Sequence, residues 1–133
     1  MNPPTLYPFR KAQHLRRPAE FTRVFEQRNV SRQRGMTVFA ARNDLAYSRI
    51  GLSVSRKNGN AVRRNRIKRL FREAFRLGQF ELPTGFDLVL IPERDREPVL
   101  RELQESLRRA VQILARRMQR PVELPQSLKP PEN

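Results

Sequence analysis

Apolar residues recur at two different spacings along this chain, and the changes of spacing divide it into elements. Phe21, Val24 and Phe25 stand at i, i+3 and i+4. That spacing predicts a helix from Pro18 to Arg28, with its proline in the first turn, where a missing N–H loses no partner. From Met36 to Ala41 the period falls to two, predicting a strand with Val38 and Phe39 on opposite faces. After a polar turn at Arg42–Ala46, a second strand is predicted from Ser48 to Ser55. Its Ile50, Leu52 and Val54 face one way and its Gly51, Ser53 and Ser55 the other. These two strands are expected to form a hairpin, and a further short strand is weakly marked near Val30. Gly59-Asn60 then opens a long helix from Ala61 to about Leu77, with Asn60 as N-cap and Gly78 as its C-terminal stop. The run Phe86-Asp87-Leu88-Val89-Leu90-Ile91 predicts a strand covered on both faces and ended by Pro92. Val99, Leu100, Leu103, Leu107, Ala110, Val111 and Leu114 mark a last helix over Glu97–Met118.

The order of elements reads helix, two or three strands, helix, strand, helix. One small sheet with helices packed on it is the economical solution, an α+β fold in a single domain. Residues 10–118 carry this pattern. Residues 1–9 hold three prolines and read as a disordered leader, and residues 119–133 hold four more and read as a disordered tail.

Charge changes the picture more than size does. The 133 residues include 28 Lys and Arg against 13 Asp and Glu, a formal net charge of +15. Such an excess repels itself in a compact chain, so a polyanionic partner is implied, nucleic acid first and an anionic membrane surface second. No stretch reaches the roughly 20 apolar residues that span a bilayer. The absence of cysteine excludes disulfides and thiolate metal sites. The first residues show no apolar secretory segment, so a cytoplasmic location is expected.

The charge is concentrated between Arg56 and Arg72, where eight residues are basic and none is acidic. On a helix, Ile67, Leu70, Phe71 and Ala74 fall together, with Phe75 at their edge, as a core stripe. Asn65, Lys68, Arg69, Arg72 and Arg76 gather opposite, and Arg63, Arg64 and Arg66 flank the first turn. Solvated helices usually mix signs at i, i+4, and cations at a helix N-terminus oppose the macrodipole by about 0.3–1 kcal/mol each. A face that breaks both rules points to a functional surface. Guanidinium forks bind phosphate oxygens bidentately, so phosphates would supply the compensation.

The run from Arg56 to Glu73, centred on Arg64-Asn65-Arg66, resembles the signature of the bacterial ribonuclease P protein family. The preceding Ile50-Gly51-Leu52-Ser53-Val54-Ser55 also matches, as does Leu15-Arg16-Arg17 followed by Phe21 and Phe25. The similarity spans roughly residues 10–118; Asn58 departs from it, since a small apolar residue is commoner there. The resemblance implies an α-β-β-β-α-β-α two-layer sandwich with a left-handed βαβ crossover, against the usual right-handed rule. It implies the protein component of an endoribonuclease that matures the 5′ end of tRNA, with the chemistry in an RNA subunit assisted by Mg²⁺. It assigns catalytic-RNA contacts to Arg56, Lys57, Asn60, Arg63, Arg64, Asn65, Arg66, Lys68, Arg69 and Arg72. A cleft for the 5′ leader of precursor tRNA would use Phe21, Phe25, Phe39 and Ser53, with the small Gly51, Ser53 and Ser55 keeping one strand face accessible. Aromatic rings within a basic groove suit single strands. The partners implied are ribonuclease P RNA and precursor tRNA, with no DNA and no membrane, and the protein itself a monomer without a catalytic residue, metal ligand or cofactor of its own.

The residues agree that the chain lacks a catalytic set. His14 is the only histidine and reads as ordinary surface, and Glu93, Asp95 and Glu97 are interleaved with Arg94 and Arg96 as a charge-paired loop. Composition alone would equally suit a ribosomal or other structural RNA-binding protein, and the extended Arg-Asn-Arg signature separates the two. A duplex-DNA binder would need heptads or helix-turn-helix spacing, which are not present.

Overall fold

Phe86–Pro92 carries apolar side chains toward both faces, and only a central strand can bury both. In the computed structural model, which describes residues 9–119, that segment does lie inside the sheet. The strands β1 (Val30–Gln33), β2 (Met36–Arg42), β3 (Arg49–Leu52) and β4 (Phe86–Pro92) stand in the order β1-β2-β4-β3. β2 runs antiparallel to β1 and β4, and β3 runs parallel to β4. The expected hairpin between β2 and β3 is therefore absent, because β4 takes the place between them. The hairpin is β1–β2 instead, closed at Arg34–Gly35 with Gly35 at φ 86°, a left-handed value that favours glycine. The faintly marked strand near Val30 is thus a full partner.

Helix α1 (Pro18–Glu26) precedes the sheet, α2 (Ala61–Gly78) connects β3 to β4, and α3 (Leu100–Gln119) closes the domain. Parallel neighbours need a crossover, and α2 supplies it in a βαβ unit. On one sheet face Met36, Val38, Ala40, Ile50, Phe86, Leu88 and Leu90 pack with Ile67, Phe71, Ala74 and Phe75 of α2. Leu103, Leu107, Ala110, Val111 and Leu114 of α3 complete this cluster. Sheet and helix pair are the two layers expected. The predicted core stripes of α2 and α3 are buried, except that Leu70 and Leu100 are half-buried at the edge and Val99 lies ahead of α3, exposed. α1 lies across part of the other face, where Val24 packs with Leu15, Ala41 and Val89 beside Phe21, Phe25, Phe39 and Ile91.

Several ends differ from the expected ones. α1 stops at Glu26, two residues early, and Arg28 turns the chain at φ 55°. β3 ends at Leu52, although the N–H of Ser53 still donates to the Leu90 carbonyl at 3.0 Å. α2 ends at Gly78 as expected, but not through a left-handed glycine cap: Gly78 stays right-handed at φ −100°, and the chain runs on into a 3-10 turn at Gln79–Glu81. α3 begins at Leu100 rather than Glu97, because Pro98 disfavours helical backbone at the residue before it. The remaining leader and tail assignments lie outside the described residues. Phe9, counted with the leader, is described and packs edge-on to Phe75 with centroids 5.3 Å apart.

Candidate nucleic-acid interface

The first turn of α2 is held by its own sequence. Asn60 Oδ1 accepts from the Arg63 N–H at 2.9 Å, the N-cap expected, which engages Asn60 in the fold. No acidic residue lies in this turn. From there the cations divide into two sets. Arg63 is used internally: its Nε donates to the Asn58 carbonyl at 3.0 Å and a terminal nitrogen to Glu97 Oε2 at 2.9 Å. Arg66 reaches the other oxygen of the same carboxylate at 2.5 Å. The hydrogen bond from Arg63 and the charges of both arginines hold Glu97 below the ordinary carboxylate pKa, so it is ionised at neutral pH. Arg76 is matched too, by Glu73 one turn back at 2.8 Å. Arg63, expected at the phosphates, is thus a tie between the loop before α2 and the loop before α3. Arg66 shares that tie while remaining half exposed.

The second set is uncompensated. Among the described residues Arg56, Lys57, Arg64, Lys68, Arg69 and Arg72 form no ion pair. Arg56, Lys57, Arg69 and Arg72 are exposed together with Asn65, while Arg64 and Lys68 are half-buried. The Arg64 Nε–H is buried without an acceptor. Arg69 and Arg72, with Asn65, form the exposed stripe directed away from Phe71 and Phe75. Lys68, expected on that stripe, stands seven residues before Phe75 and so flanks the core side, as Arg64 does before Phe71, and Arg56 and Lys57 sit on the 3-10 turn ahead of the helix. Such a surface can neutralise successive phosphates without reorganising the protein.

The cleft residues stand on the sheet face that α1 crosses. Register places Arg49, Asp87 and Ala41 in one row and Gly51, Val89, Phe39 and Val30 in the next. α1 covers these two rows. Phe25 meets Phe39 edge-to-face with centroids 4.9 Å apart, and Phe21 lies directly over Gly51. Gly51 is buried, so its missing side chain makes room for Phe21 and does not leave the strand open, contrary to expectation. The third row, Arg32, Thr37 and Ile91, with Ser53 at the end of β3, lies past α1 and is half-open to exposed. Phe21, Phe25 and Phe39 are each half-buried along its border. Phe21, Phe25, Phe39 and Ser53, expected at a cleft, thus stand on or beside this face. Arg32, Thr37 and Ile91 are visible only once β4 is known to lie beside β2.

A buried ionic cluster fixes α1 in that position. Asp87, read as part of an apolar run, has a fully buried side chain. Its oxygens accept from Arg49 at 2.8 and 2.6 Å and from the Asn43 amide at 2.9 Å, and they also pair with Arg23 of α1. Burial alone would raise its pKa, but the hydrogen bonds from Arg49, Asn43 and Arg23 outweigh it and hold the carboxyl below its ordinary value. Glu20 extends the cluster to Arg49 at 3.1 Å and accepts from the N–H groups of Arg16 and Arg17. Those backbone bonds lower its pKa as well.

Among the described residues no three His, Asp or Glu side chains are grouped to hold a metal ion, and no helix is long and apolar enough to cross a membrane. The loop after Pro92 is charge-paired as expected, through Arg96 with Glu102 at 2.8 Å and Glu97 with α2.

Comparison with known proteins gives a consistent result. The family profile described as Ribonuclease P matches residues 9–117. The ribonuclease P protein component of Thermotoga maritima is 38% identical over 86 residues, 65% of this chain and 74% of that protein. That of Clostridioides difficile is 30% identical over 105 residues, 77% and 92% of the two chains. Among solved structures, the Thermotoga maritima RNase P protein superposes with a TM-score of 0.68 at 31% identity, covering 75% of this chain and 96% of that one. The Staphylococcus aureus RNase P protein gives 0.67 at 30% identity, covering 77% and 95%.

Proposed function

The chain belongs to the ribonuclease P protein family, and from that premise we propose that it serves as the protein subunit of a ribonucleoprotein endonuclease removing the 5′ leader of precursor tRNA. The observation that carries this reading is the set of unpaired cations on α2 and the turn before it, on the same rigid domain as a half-open aromatic strip. Arg56, Lys57, Arg64, Lys68, Arg69 and Arg72 bind phosphates of the catalytic RNA. The strip bordered by Phe21, Phe25 and Phe39, with Arg32, Thr37, Ile91 and Ser53, takes the single-stranded leader, where each stacked base contributes about 1–3 kcal/mol.

In this reading the chain supplies binding and orientation. The hydrolytic step belongs to the RNA, whose phosphate oxygens are suitable ligands for the hard Mg²⁺ ion it uses. The protein acts as a cytoplasmic monomer within the holoenzyme, without DNA or membrane partners.

Reconstitution tests this. The purified chain alone leaves precursor tRNA uncut, and added to its cognate RNA it lowers the Mg²⁺ concentration needed for cleavage. Cleavage by RNA-free protein would overturn the assignment. Tight RNA binding with no effect on cleavage would favour a structural RNA-binding protein instead.

A further inference from the structure

The segment ahead of α1 lies along the free edge of β3. The Leu15 N–H donates to the Ile50 carbonyl at 2.8 Å, and His14 forms an isolated parallel bridge with Ile50. This course brings Phe9 against α2, where its ring meets Phe75 edge-on and stacks on the His14 imidazole. The stacked centroids are 4.0 Å apart and the planes 17° from parallel. Between Phe9 and the helix runs a groove of about 310 Å³ lined by Phe9, Asn65, Arg69, Arg72, Glu73 and Arg76.

The lining is chemically uneven. Glu73 and Arg76 neutralise each other at one end. Arg69 and Arg72 are exposed and have no carboxylate partner among the described residues, and the Asn65 amide makes no hydrogen bond there. Phe9 is held from two sides, by Phe75 and by His14. Burial, then the charges of Arg16 and Arg72, lower the His14 pKa, so at neutral pH the imidazole is an uncharged backing for the ring. A fixed aromatic beside two bare guanidiniums is more than a counterion site needs. It is the pairing that single-stranded nucleic acids use, a charge for the phosphate and a platform for the base.

We propose that this groove is a single-nucleotide subsite, in which Arg69 and Arg72 hold the phosphate of an unpaired residue of the catalytic RNA and its base stacks against Phe9. Asn65 then faces the edge of that nucleotide. The proposal rests on α2 being the RNA-facing surface, and it adds the N-terminal segment to that surface.

The test is an NMR titration of the full-length protein with AMP and, separately, with ribose 5-phosphate, following the ring signals of Phe9 and His14. AMP shifts them saturably, with a dissociation constant roughly tenfold below that of ribose 5-phosphate. Phe9→Leu erases that difference and retains the phosphate response. The double variant Arg69→Gln/Arg72→Gln, altered only at exposed positions, keeps its melting temperature and loses both responses. Because Phe9→Leu also trims the contact with Phe75, its melting temperature is recorded alongside. Equal affinity of the wild type for the two ligands, or no saturable response to either, overturns the subsite. Reconstitution separates the two failures: a wild type that lowers the Mg²⁺ requirement but ignores AMP loses only the subsite, whereas one without effect on the RNA loses the underlying reading.

Discussion

Gly51→Ala adds one methyl group at the point where α1 rests on the sheet. An ideal Cβ there would stand 2.5 Å from Cζ of Phe21, 2.8 Å from its Cε2 and 3.0 Å from Cβ of Leu15. Carbon atoms prefer 3.5–4.0 Å, so something must retreat by about 1 Å. Leu15 cannot give way easily, because its own N–H is tied to Ile50. The half-buried ring of Phe21 can swing outward, and it is the group that moves. Overpacking of this kind costs about 1–3 kcal/mol, a fall in melting temperature on the order of 10 °C for a domain this size. Gly51 lacks a left-handed backbone, so alanine by itself would favour folding by about 0.4–1 kcal/mol. The cost therefore depends on the partner: with Phe21→Ala already in place, Gly51→Ala should lose most of its cost, leaving only the tight 3.0 Å approach to Leu15. Thermal melts of the four proteins in this cycle measure the coupling. If Phe21 borders the leader strip, Gly51→Ala should also weaken binding of long-leader precursor tRNA about tenfold while sparing mature tRNA. An equal cost of Gly51→Ala with and without the Phe21 ring would refute the packing argument. An unchanged preference for leader-bearing substrate would remove Phe21 from the strip.

Three further outcomes follow from the same geometry. Arg64→Ala with Arg66→Ala should weaken binding of the catalytic RNA and reduce the log–log salt slope by about 0.7–0.9 per lost phosphate contact; an unchanged slope would place both outside the interface. Glu97→Gln should tighten RNA binding at low salt, because it frees Arg66 from a carboxylate that stands where a phosphate would. Weaker binding would show instead that the Glu97 tie organises the surface. Asp87 and Glu20 have folded pKa values below their unfolded ones. Their stabilisation is present above about pH 4 and is lost as pH falls through the folded values. Acid denaturation followed by circular dichroism should accordingly be less steep for Asp87→Asn, a variant already less stable at pH 7. An identical acid limb in the two proteins would contradict that linkage.

The sequence determined which segments are helix and which are strand, and which face of each is apolar. The 3.6 and 2 periods of Phe21-Val24-Phe25, Ile50-Leu52-Val54 and Ile67-Phe71-Ala74 are local properties, and burial in the folded chain follows them closely. It also determined the cationic stretch from Arg56 to Arg72, because eight basic residues with no carboxylate among them find few partners locally. The family was legible for the same reason, from one continuous run of residues.

What depends on residues far apart in the chain was decided only by the tertiary structure. Strand order turned on β4, whose two apolar faces demanded the centre and separated β2 from β3. That insertion sets Arg32, Thr37 and Ile91 side by side and turns Asp87, one polar letter in an apolar run, into the anchor of Arg49 and Arg23. Arg63 and Arg72 look alike as letters, yet Glu97 reaches across from the loop before α3 to engage the first and leaves the second bare. A periodicity reports which side of an element is apolar. It carries no information about which charge another part of the chain will bring to that side, and here that difference separates the cations that hold the fold from those left for a partner.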